Sequence, residues 1–488
     1  MAETQNLVSK LTDEEIKIKR YRLSSISPDD GKYGESSDKL ANYLSEAAEW
    51  KACAFVQKIL LETRKDFGVA EQRHVEEVNS AMEKIDVLNM ALLEKKVTKH
   101  DQLAVIDEIG RHVSAETKAL LHPGTTSYDI LDTARSYLLR KAWNEVIKPE
   151  ISRSITNLCD IAEKSKDMVQ VGRTHLQDTS PITVGFMMAG YAGRLAERLE
   201  KTDRAFSQLR GKVSGIVGTG ASIDMVIGDG TSIEFEREAL KKLGLEPDYT
   251  ATQIVQKEQL SDVGHGLTTL MHVLGDFAND IRMLYSSAIG EVTSRDNAAR
   301  LGGSSADAMK NNPIDYENIA GNTAVVESGM RILYAMIPSD FQRDLRNSKQ
   351  ARYQPRIMMA ETYESFERLN KVLNQLSINE DRLKDNLQGI NENPSEAMTS
   401  ILRGEGWVHS TYGVGHDFVK EMGKKAKKRR SPLLEVCLED AEFETLYNSL
   451  PPLKKDILDG DIYKYIGSAK ERIDLNESYA RGIVRRLS

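Results

Sequence analysis

The sequence has 488 residues, of which 40% are hydrophobic and 29% are charged, so we expect a folded protein of two or three domains and not a disordered chain. Its formal net charge of −8 argues against general affinity for nucleic acid, and its three widely spaced cysteines exclude a disulfide framework or a CxxC metal site. No apolar run approaches membrane-spanning length and the first residues contain no signal-peptide core, so we expect a cytoplasmic location.

The first part of the chain is expected to form an N-terminal helical domain (1–121). A turn at Ser27–Gly34 combines Pro, Asp and Gly. Beyond it, apolar residues recur at spacings of three and four, which predicts helices. Arg111 and His112 lie near the end of this region. A lone histidine of this kind is usually structural or on the surface.

The next segment, His122–Thr133, places the hydroxyls of Thr126 and Ser127 directly before an expected helix at about 129–166. Hydroxyls and backbone N–H groups at a helix start suit a carboxylate or a phosphate. Simple N-capping explains the same residues, and the two interpretations do not exclude each other.

A conspicuous polar segment, Gly172–Gln177, contains Thr174 and His175 and precedes a part of the chain that is rich in helical patterns. Long helices with apolar stripes on more than one face indicate a multi-helix bundle with oligomer contacts. We therefore predict a central bundle domain at 122–375. Its further long helices are expected at about 183–212, 253–295 and 314–337.

A Gly/Ser-rich loop, Gly302–Pro313, lies between two of these helices. Gly and Ser let the backbone approach a ligand closely, and Lys310 adds a positive charge. The loop ends with Asn312 as an expected N-cap and Pro313 at the first helical position, where free N–H groups attract anions. The residues predict an anion cradle that contains a hydroxyl, although a plain loop between helices explains the same composition.

Two basic segments follow. By charge alone, Phe341–Arg352 is a solvated turn. The run Lys424–Arg430 falls in an expected C-terminal helical domain (376–488). We interpret it as a solvated helix end, and nucleic-acid binding is the weaker alternative on an acidic chain.

The Gly/Ser loop resembles the signature GSSxMPxKxNP of the fumarase/aspartase superfamily. Ser304, Lys310 and Asn312 match that signature, whereas Asp307 and Ala308 replace its usual Met-Pro. Two earlier segments resemble the superfamily's H-x-G-x-TS-x-D-x-x-DT and GRTHxQ motifs, in the same order along the chain.

Further segments resemble the adenylosuccinate lyase branch of this superfamily. Phe341–Arg352 is similar to its RDLxxSxxxR segment, which holds a nucleotide and distinguishes it from fumarase and aspartase. Lys32 stands where the branch's SPxDGRYG segment has arginine, which keeps the charge but loses the bidentate fork. Val113 replaces the acid of an Arg-His-Asp motif. The closing YIGxA motif is matched at Tyr465–Ala469.

The resemblance, which runs from about residue 27 to 470, implies an all-α, three-domain lyase that forms a homotetramer with shared active sites. It implies β-elimination of fumarate from succinylated purine nucleotides, with no cofactor, no metal and no membrane or nucleic-acid partner. Ser304 is the implied base, supported by Lys310, and His175 the implied acid, with His112 beside it. The implied substrate-binding residues are Lys32, Tyr33, Arg111, His122, Thr126, Ser127, Thr174, Gln253, Asn312, Glu317, Arg343, Ser348 and Arg352.

Two alternatives remain at this point. Asp307, Ala308, Val113 and Lys32 depart from the pattern and leave open a related lyase that releases fumarate from another N-succinyl compound. A catalytically silent helical scaffold is the alternative of a different class. Retention of the reactive serine, lysine and histidine argues against a scaffold, which needs none of them, and release of fumarate from adenylosuccinate would discriminate among the three.

Overall fold

The computed structural model describes residues 11–27, 30–35, 38–294, 307 and 311–488. Throughout these residues the chain is predominantly α-helical, which confirms the all-α prediction. It forms two compact units: unit 1 comprises Met1–Ile151, Arg198–His272 and Gly321–Arg368, and unit 2 comprises Ser152–Glu197, Val273–Ala320 and Leu369–Ser488. The three-domain division at residues 121 and 375 stays a prediction.

The first part of the described chain is a succession of helices joined by short turns. They are α1 (Asp13–Leu23), α2 (Asp38–Leu44), α3 (Glu46–Asp66), α4 (Gln72–Met82), α5 (Val87–Leu93), a π-helical turn (Glu94–Thr98), α6 (Asp101–Gly110), α7 (Ala115–Ala119), α8 (Ser127–Ala142), a second π-helical turn (Trp143–Ile147) and α9 (Lys148–Lys164).

The later helices include the longest of the described chain. They are α10 (Val184–Ser207), α11 (Ala221–Ile227), α12 (Ser232–Lys241), α13 (Glu258–Leu284), α14 (Ile314–Ala335), α15 (Ser348–Leu373), α16 (Glu380–Glu392), α17 (Ser395–Gly404), α18 (Gly415–Arg429), α19 (Leu433–Leu438), α20 (Ala441–Ser449), α21 (Pro452–Leu458), a 3₁₀ turn (Ile462–Lys464) and α22 (Ala469–Leu487).

The strands of the described residues are short and pair two by two. The antiparallel pairs are β1 (Val169–Thr174) with β2 (Gln177–Thr183), β5 (Val292–Ser294) with β6 (Leu376–Ile378), and β7 (Val408–His409) with β8 (Gly413–Val414), and the parallel pair is β3 (Arg210–Gly211) with β4 (Glu246–Pro247).

The helix expected at about 129–166 is present, but a π-helical turn separates α8 from α9. The turn begins at the fully buried Trp143, whose indole N–H donates to Asp203 at 2.8 Å. The indole also stacks on Phe206 with ring centroids 4.4 Å apart. A π turn holds one residue more than an α turn, and apolar spacing along the sequence does not reveal that insertion.

The other long helices exist but are shorter than predicted. The helix expected to reach residue 212 ends at Ser207, because the chain then extends to form β3. Likewise, the helix expected to reach 295 ends at Leu284, ahead of strand β5. The helix start expected at Pro313 is wrong by one residue, since α14 begins at Ile314 and the Pro313 carbonyl accepts from the Glu317 N–H.

Each unit has its own apolar core. In unit 1, buried residues of α3, α6, α8 and α12 pack together, with Leu60, Ile109, Ile130 and Phe235 among them. In unit 2, one cluster contains Phe418 and Phe443, and a second lies against strand β1. These cores give the segments with predicted site residues a rigid base within their own unit.

The basic run near residue 427 lies at the end of α18, as the solvated-helix interpretation predicts. Its side chains are placed where the helix dipole favours positive charge. Arg429 pairs with Glu439 at 2.6 Å, and Lys424 pairs with Glu421 at 2.6 Å. Of the helices that the structure describes, none combines the length and the apolar character that crossing a membrane requires.

Candidate active site

Unit 1 gathers several of the residues predicted to hold a nucleotide, with Arg343 at the centre. Its guanidinium carbon lies 3.8 Å from the centroid of the Tyr128 ring, which is close for a cation–π contact. Its Nη1 donates to Gln253 Oε1 at 2.8 Å. The residues that precede Gln253 and Arg343 are joined too, because the Thr252 hydroxyl donates to the Gln342 carbonyl at 2.6 Å. Two predicted substrate-binding residues, Arg343 and Gln253, therefore lie together.

Ser348 is the first residue of the long helix α15 and lies in the same cluster. Its hydroxyl oxygen is 2.8 Å from the Tyr128 phenol oxygen, and either group can donate. Arg352 follows one turn later on α15. A helix N-terminus with a hydroxyl and two nearby guanidinium groups suits a phosphate group. We call Tyr128, Gln253, Arg343, Ser348 and Arg352 the arginine cluster.

A buried carboxylate supports the arginine cluster. Glu49 is 3% exposed and accepts from Arg135 at 2.9 Å. It also pairs with Arg356, and Arg352 Nε lies 3.4 Å from its Oε1. Arg352 also lies 3.7 Å from Glu46 and 3.9 Å from Asp101, and its side chain is 39% exposed, so it is held among carboxylates at the surface of unit 1.

The start of α8, where Thr126 and Ser127 were predicted to act, is fixed by Asp129. This fully buried carboxylate accepts from the Thr126 backbone N–H at 2.7 Å, as in a capping box. It also pairs with the buried Lys212. The hydroxyl of the half-buried Ser127 lies 3.1 Å from His100 Nε2. Capping is therefore present here, and the predicted binding role of Ser127 stays a prediction.

His122 lies just before that helix, in a left-handed backbone conformation (φ 73°). Its Nδ1 is 2.9 Å from Gln57 Nε2, so the amide donates to an unprotonated ring nitrogen. Burial lowers the pKa of His122 to about 4, against partial compensation from Asp129. The imidazole is therefore neutral at physiological pH.

Arg111 and His112 follow α6, and both contact Glu108. This carboxylate is 1% exposed and lies 2.9 Å from Arg111 Nη1 and 3.6 Å from His112 Nε2. Burial opposes its ionisation, yet hydrogen bonds from the Asp86 N–H and Asn89 hold its pKa below the ordinary value. Glu108 is therefore a charged partner for both predicted residues, and the predicted catalytic role of His112 stays a prediction.

Lys32 and Tyr33 lie in the turn before α2, also in unit 1. The ammonium of Lys32 is 5.7 Å from the Tyr33 ring, and the guanidinium of Arg368 is also 5.7 Å from it. Lys32 is exposed and Tyr33 is half-buried. The turn thus presents a cation and an aromatic ring, as the resemblance implies, and their contact with a nucleotide stays a prediction.

The predicted acid, His175, lies at the tip of the hairpin formed by β1 and β2 in unit 2. Thr174 pairs with Gln177, so His175 and Leu176 form a two-residue turn. Both have positive φ, 56° and 60°, as in a type I′ turn. That conformation usually requires Gly or Asn, and bulky side chains in it are strained. His175 is exposed, and Leu176 is 72% exposed.

The base of the hairpin is held firmly, unlike its tip. Arg173 donates to the fully buried Glu291 through two N–H groups, at 2.6 and 3.1 Å. Gln170 and Asn386 donate to the same carboxylate at 2.7 and 2.8 Å. This network fixes the point at which the chain approaches His175.

The closing YIGxA motif lies beside the hairpin base. Tyr465 packs against the apolar cluster that includes Val169 and Val171 of β1. It also lines, with Ser180 and Glu396, a cavity of about 350 Å³ in unit 2. The closing motif and the hairpin therefore meet in one part of unit 2.

Asn312 and Glu317 lie at the start of α14 in unit 2. Asn312 is half-buried just before the helix, and Glu317 is exposed in its first turn. The neighbouring Asn311 donates to the Tyr285 hydroxyl at 2.5 Å. The predicted base Ser304 and its partner Lys310 lie outside the described residues.

Several residues of the site were not found from the sequence. Tyr128 occupies the variable position of the H-x-G-x-TS-x-D motif, so its presence carries no signal. Glu49 lies on α3 among apolar residues, where an unpaired carboxylate would be costly; that pattern hints at a buried ion pair but does not name its partners. His100 precedes α6 and cannot be told in the sequence from an ordinary cap.

Comparison with known proteins gives a consistent result. A family model described as a lyase matches residues 27–327. Adenylosuccinate lyase from Archaeoglobus fulgidus is 27% identical over 92% of this chain and 97% of its own length. Adenylosuccinate lyase from Bacillus subtilis is 31% identical over 62% of this chain and 67% of its own length.

Solved structures support the fold. A 3-carboxy-cis,cis-muconate lactonizing enzyme from Pseudomonas putida matches with a TM-score of 0.77 and 19% identity, over 91% of this chain and 97% of its own. A fumarate lyase from Mesorhizobium matches with a TM-score of 0.76 and 22% identity, over 90% of this chain and 97% of its own. At these identities the match concerns the fold alone.

Proposed function

Because the chain belongs to the lyase family whose model matches residues 27–327, within the fumarase/aspartase superfamily, we propose that it has adenylosuccinate lyase activity. The reaction is β-elimination of fumarate from adenylosuccinate, which gives AMP. The same carbon–nitrogen lyase chemistry would release fumarate from succinylaminoimidazole carboxamide ribotide in purine biosynthesis.

The observation that carries this proposal is the arginine cluster at the start of α15. Arg343 and Ser348 both contact Tyr128 at the start of α15, and Arg352 lies one turn further along the same helix. A phosphate group is favoured at a helix N-terminus by N–H groups, the helix dipole and guanidinium charge. Both proposed substrates carry a phosphate group, which guanidinium groups at a helix N-terminus suit. Named relatives over nearly the whole chain support the same activity.

The proposed chemistry needs a base and an acid. The base removes a proton from the carbon next to a carboxylate of the succinyl group, and its electron pair becomes the new double bond of fumarate. The carbon–nitrogen bond then breaks, and the departing nitrogen takes a proton. We assign the base to Ser304, assisted by Lys310, and the acid to His175.

An exposed His175 suits the acid role, because a proton donor at the tip of a hairpin can reach a bound ligand. The tip is strained and the base is anchored by Arg173 and Glu291. Strain of this kind is found where a side chain must be presented in one direction.

We also propose a cytoplasmic homotetramer with shared active sites, as in the resembling branch. Exposed apolar side chains in unit 1, including Ile216, Met225 and Ile233, support subunit contacts. Mixed and reassembled subunits test this point. His175→Ala and Ser304→Ala should each be inactive alone, and their hybrid should recover activity if the two residues reach one site from different chains. No recovery despite proven subunit exchange would contradict the shared site.

The activity is tested by adding adenylosuccinate to the purified protein and following fumarate release. Turnover of adenylosuccinate is the expected result, and His175→Ala is the control for contaminating activity. No turnover of either purine substrate by an intact oligomer would contradict the proposal and would favour a different N-succinyl substrate.

A further inference from the structure

Tyr128 lies between two of the residues that the proposed function assigns to phosphate binding. It is 6% exposed, and its ring faces Arg343 while its hydroxyl reaches Ser348. We propose that Tyr128 is a positioning residue that sets specificity for a phosphate monoester by orienting Arg343 and Ser348. This inference rests on the proposed function and deepens it.

The ring acts on Arg343. A guanidinium whose carbon lies 3.8 Å from a ring centroid is held by cation–π attraction, and its N–H groups at the edge remain available for hydrogen bonds. One of them is used by Gln253 at 2.8 Å. The Nε of Arg343 is buried and has no hydrogen-bond partner among the described residues. The guanidinium of Arg343 is held in place but only some of its N–H groups are hydrogen-bonded. It can therefore bind an anion without first breaking a strong ion pair.

The hydroxyl acts on Ser348. The two oxygens lie 2.8 Å apart, and either can donate. When Tyr128 donates to the serine oxygen, the hydrogen of Ser348 is free to point at an anion. Ser348 also begins α15, and the helix dipole favours an anion at this end of the helix. Tyr128 thus links a charge and a hydroxyl that would contact the same phosphate.

Two variants separate these effects. Tyr128→Phe keeps the ring over Arg343 and removes only the hydroxyl, whereas Tyr128→Leu removes both. Tyr137→Leu is a matched control on the same helix, because Tyr137 is half-buried and packs against Phe55 instead.

The probes are AMP and adenosine, which differ only in the phosphate, with binding measured by calorimetry. We expect Tyr128→Phe to weaken AMP binding about threefold to tenfold and Tyr128→Leu about tenfold to fiftyfold, with adenosine binding unchanged. In a Ser348→Ala background, Tyr128→Phe should have no further effect on AMP binding, because the two hydroxyls act together. Tyr137→Leu should leave the ratio of AMP to adenosine affinity as in the unmodified protein.

Catalysis provides a second readout. With adenylosuccinate, Tyr128→Phe should raise KM and leave kcat near its original value, because the phosphate does not take part in bond breaking. Equal losses of AMP and adenosine binding would overturn the inference, as would an unchanged AMP affinity in Tyr128→Phe. Binding needs no turnover, so a protein that prefers AMP through Tyr128 but does not cleave adenylosuccinate would contradict the proposed function and leave this inference standing.

Discussion

His122 and His175 share an unusual backbone conformation in opposite surroundings. Both have positive φ, 73° and 56°. His122 is half-buried, and Gln57 donates to its ring. His175 is exposed at the tip of a hairpin, next to a strained leucine. The same backbone conformation therefore occurs in two settings: His122 is held by partial burial and a hydrogen bond, and His175 is exposed to solvent.

The same contrast extends to the surroundings of each histidine. Near His122, Asp129 and Lys212 form a buried pair that fixes the start of α8. Around His175 the contacts concentrate at the hairpin base, where Arg173 meets Glu291. We therefore expect changes at His175 to affect the reaction, and changes at His122 to affect stability.

The largest expected effect is that of His175→Ala. Removal of the proposed acid should lower kcat by about 10²- to 10⁴-fold, with little change in thermal stability, because the side chain is exposed. Steady-state kinetics and a melting curve check the two parts. A kcat within a few-fold of that of the unmodified protein would contradict the catalytic role of His175 and the distinction drawn between it and His122.

Next in size is Arg343→Ala. Loss of a charge-assisted contact to phosphate should raise KM for adenylosuccinate by about 10- to 100-fold, with kcat less affected. Arg346→Ala is a matched control from the same segment, because Arg346 is exposed and pairs with Asp344. An equal rise of KM in both variants would show that any positive charge in this segment favours substrate binding, with no specific role for the arginine cluster.

A smaller effect concerns His122 and pH. Its pKa is about 4 in the folded protein and about 6.5 when unfolded, so the unfolded chain takes up the proton first as pH falls. The stability that depends on neutral His122 is complete above about pH 6.5 and is lost as pH falls toward 4. Relative to His122→Asn, the unmodified protein should lose about 2 kcal/mol between about pH 7 and about pH 5. Asparagine tolerates positive φ, which makes it a suitable replacement.

Thermal midpoints of both proteins at about pH 7 and about pH 5 measure this difference, and the values at the higher pH serve as the internal reference. Parallel shifts in the two proteins would show that His122 contributes nothing to the pH dependence.

The smallest expected effect is that of Leu176→Gly. Glycine relieves the left-handed strain at φ 60° but raises the conformational entropy of the unfolded chain. We therefore expect the free energy of unfolding to rise by about 0.5–1 kcal/mol. Leu176→Ala is the control, because it keeps the strained Cβ. A gain of the same size in both variants would attribute the effect to the exposed leucine side chain and not to the backbone.

Much of the fold could be predicted from the sequence, because long apolar stripes specify long helices such as α10 and α13. Their ends were less predictable. Strands β3 and β5 depend on partners far along the chain, which local periodicity does not contain. The strand pair around His175 is also hard to predict, but for a different reason: its two-residue turn lacks the usual Gly or Asn.

Residues of the candidate site could be predicted where they belong to a sequence motif. They could not be predicted where their role depends on a contact that only the folded chain makes. Arg343 and Ser348 were identified by resemblance, and unit 1 brings them together. Tyr128 and Glu49 were not, because their roles arise from contacts between helices that are distant in the sequence. A pattern in one segment cannot specify such contacts.

Above all, we propose that this lyase acts on a succinylated nucleotide whose phosphate is held by the arginine cluster. The most direct test compares kcat/KM for adenylosuccinate with kcat/KM for succinyladenosine, which lacks the phosphate. We expect adenylosuccinate to be preferred by at least about 100-fold, because two guanidinium groups and a helix N-terminus would contact the phosphate. Equal kcat/KM values for the two compounds would contradict the proposed role of the arginine cluster.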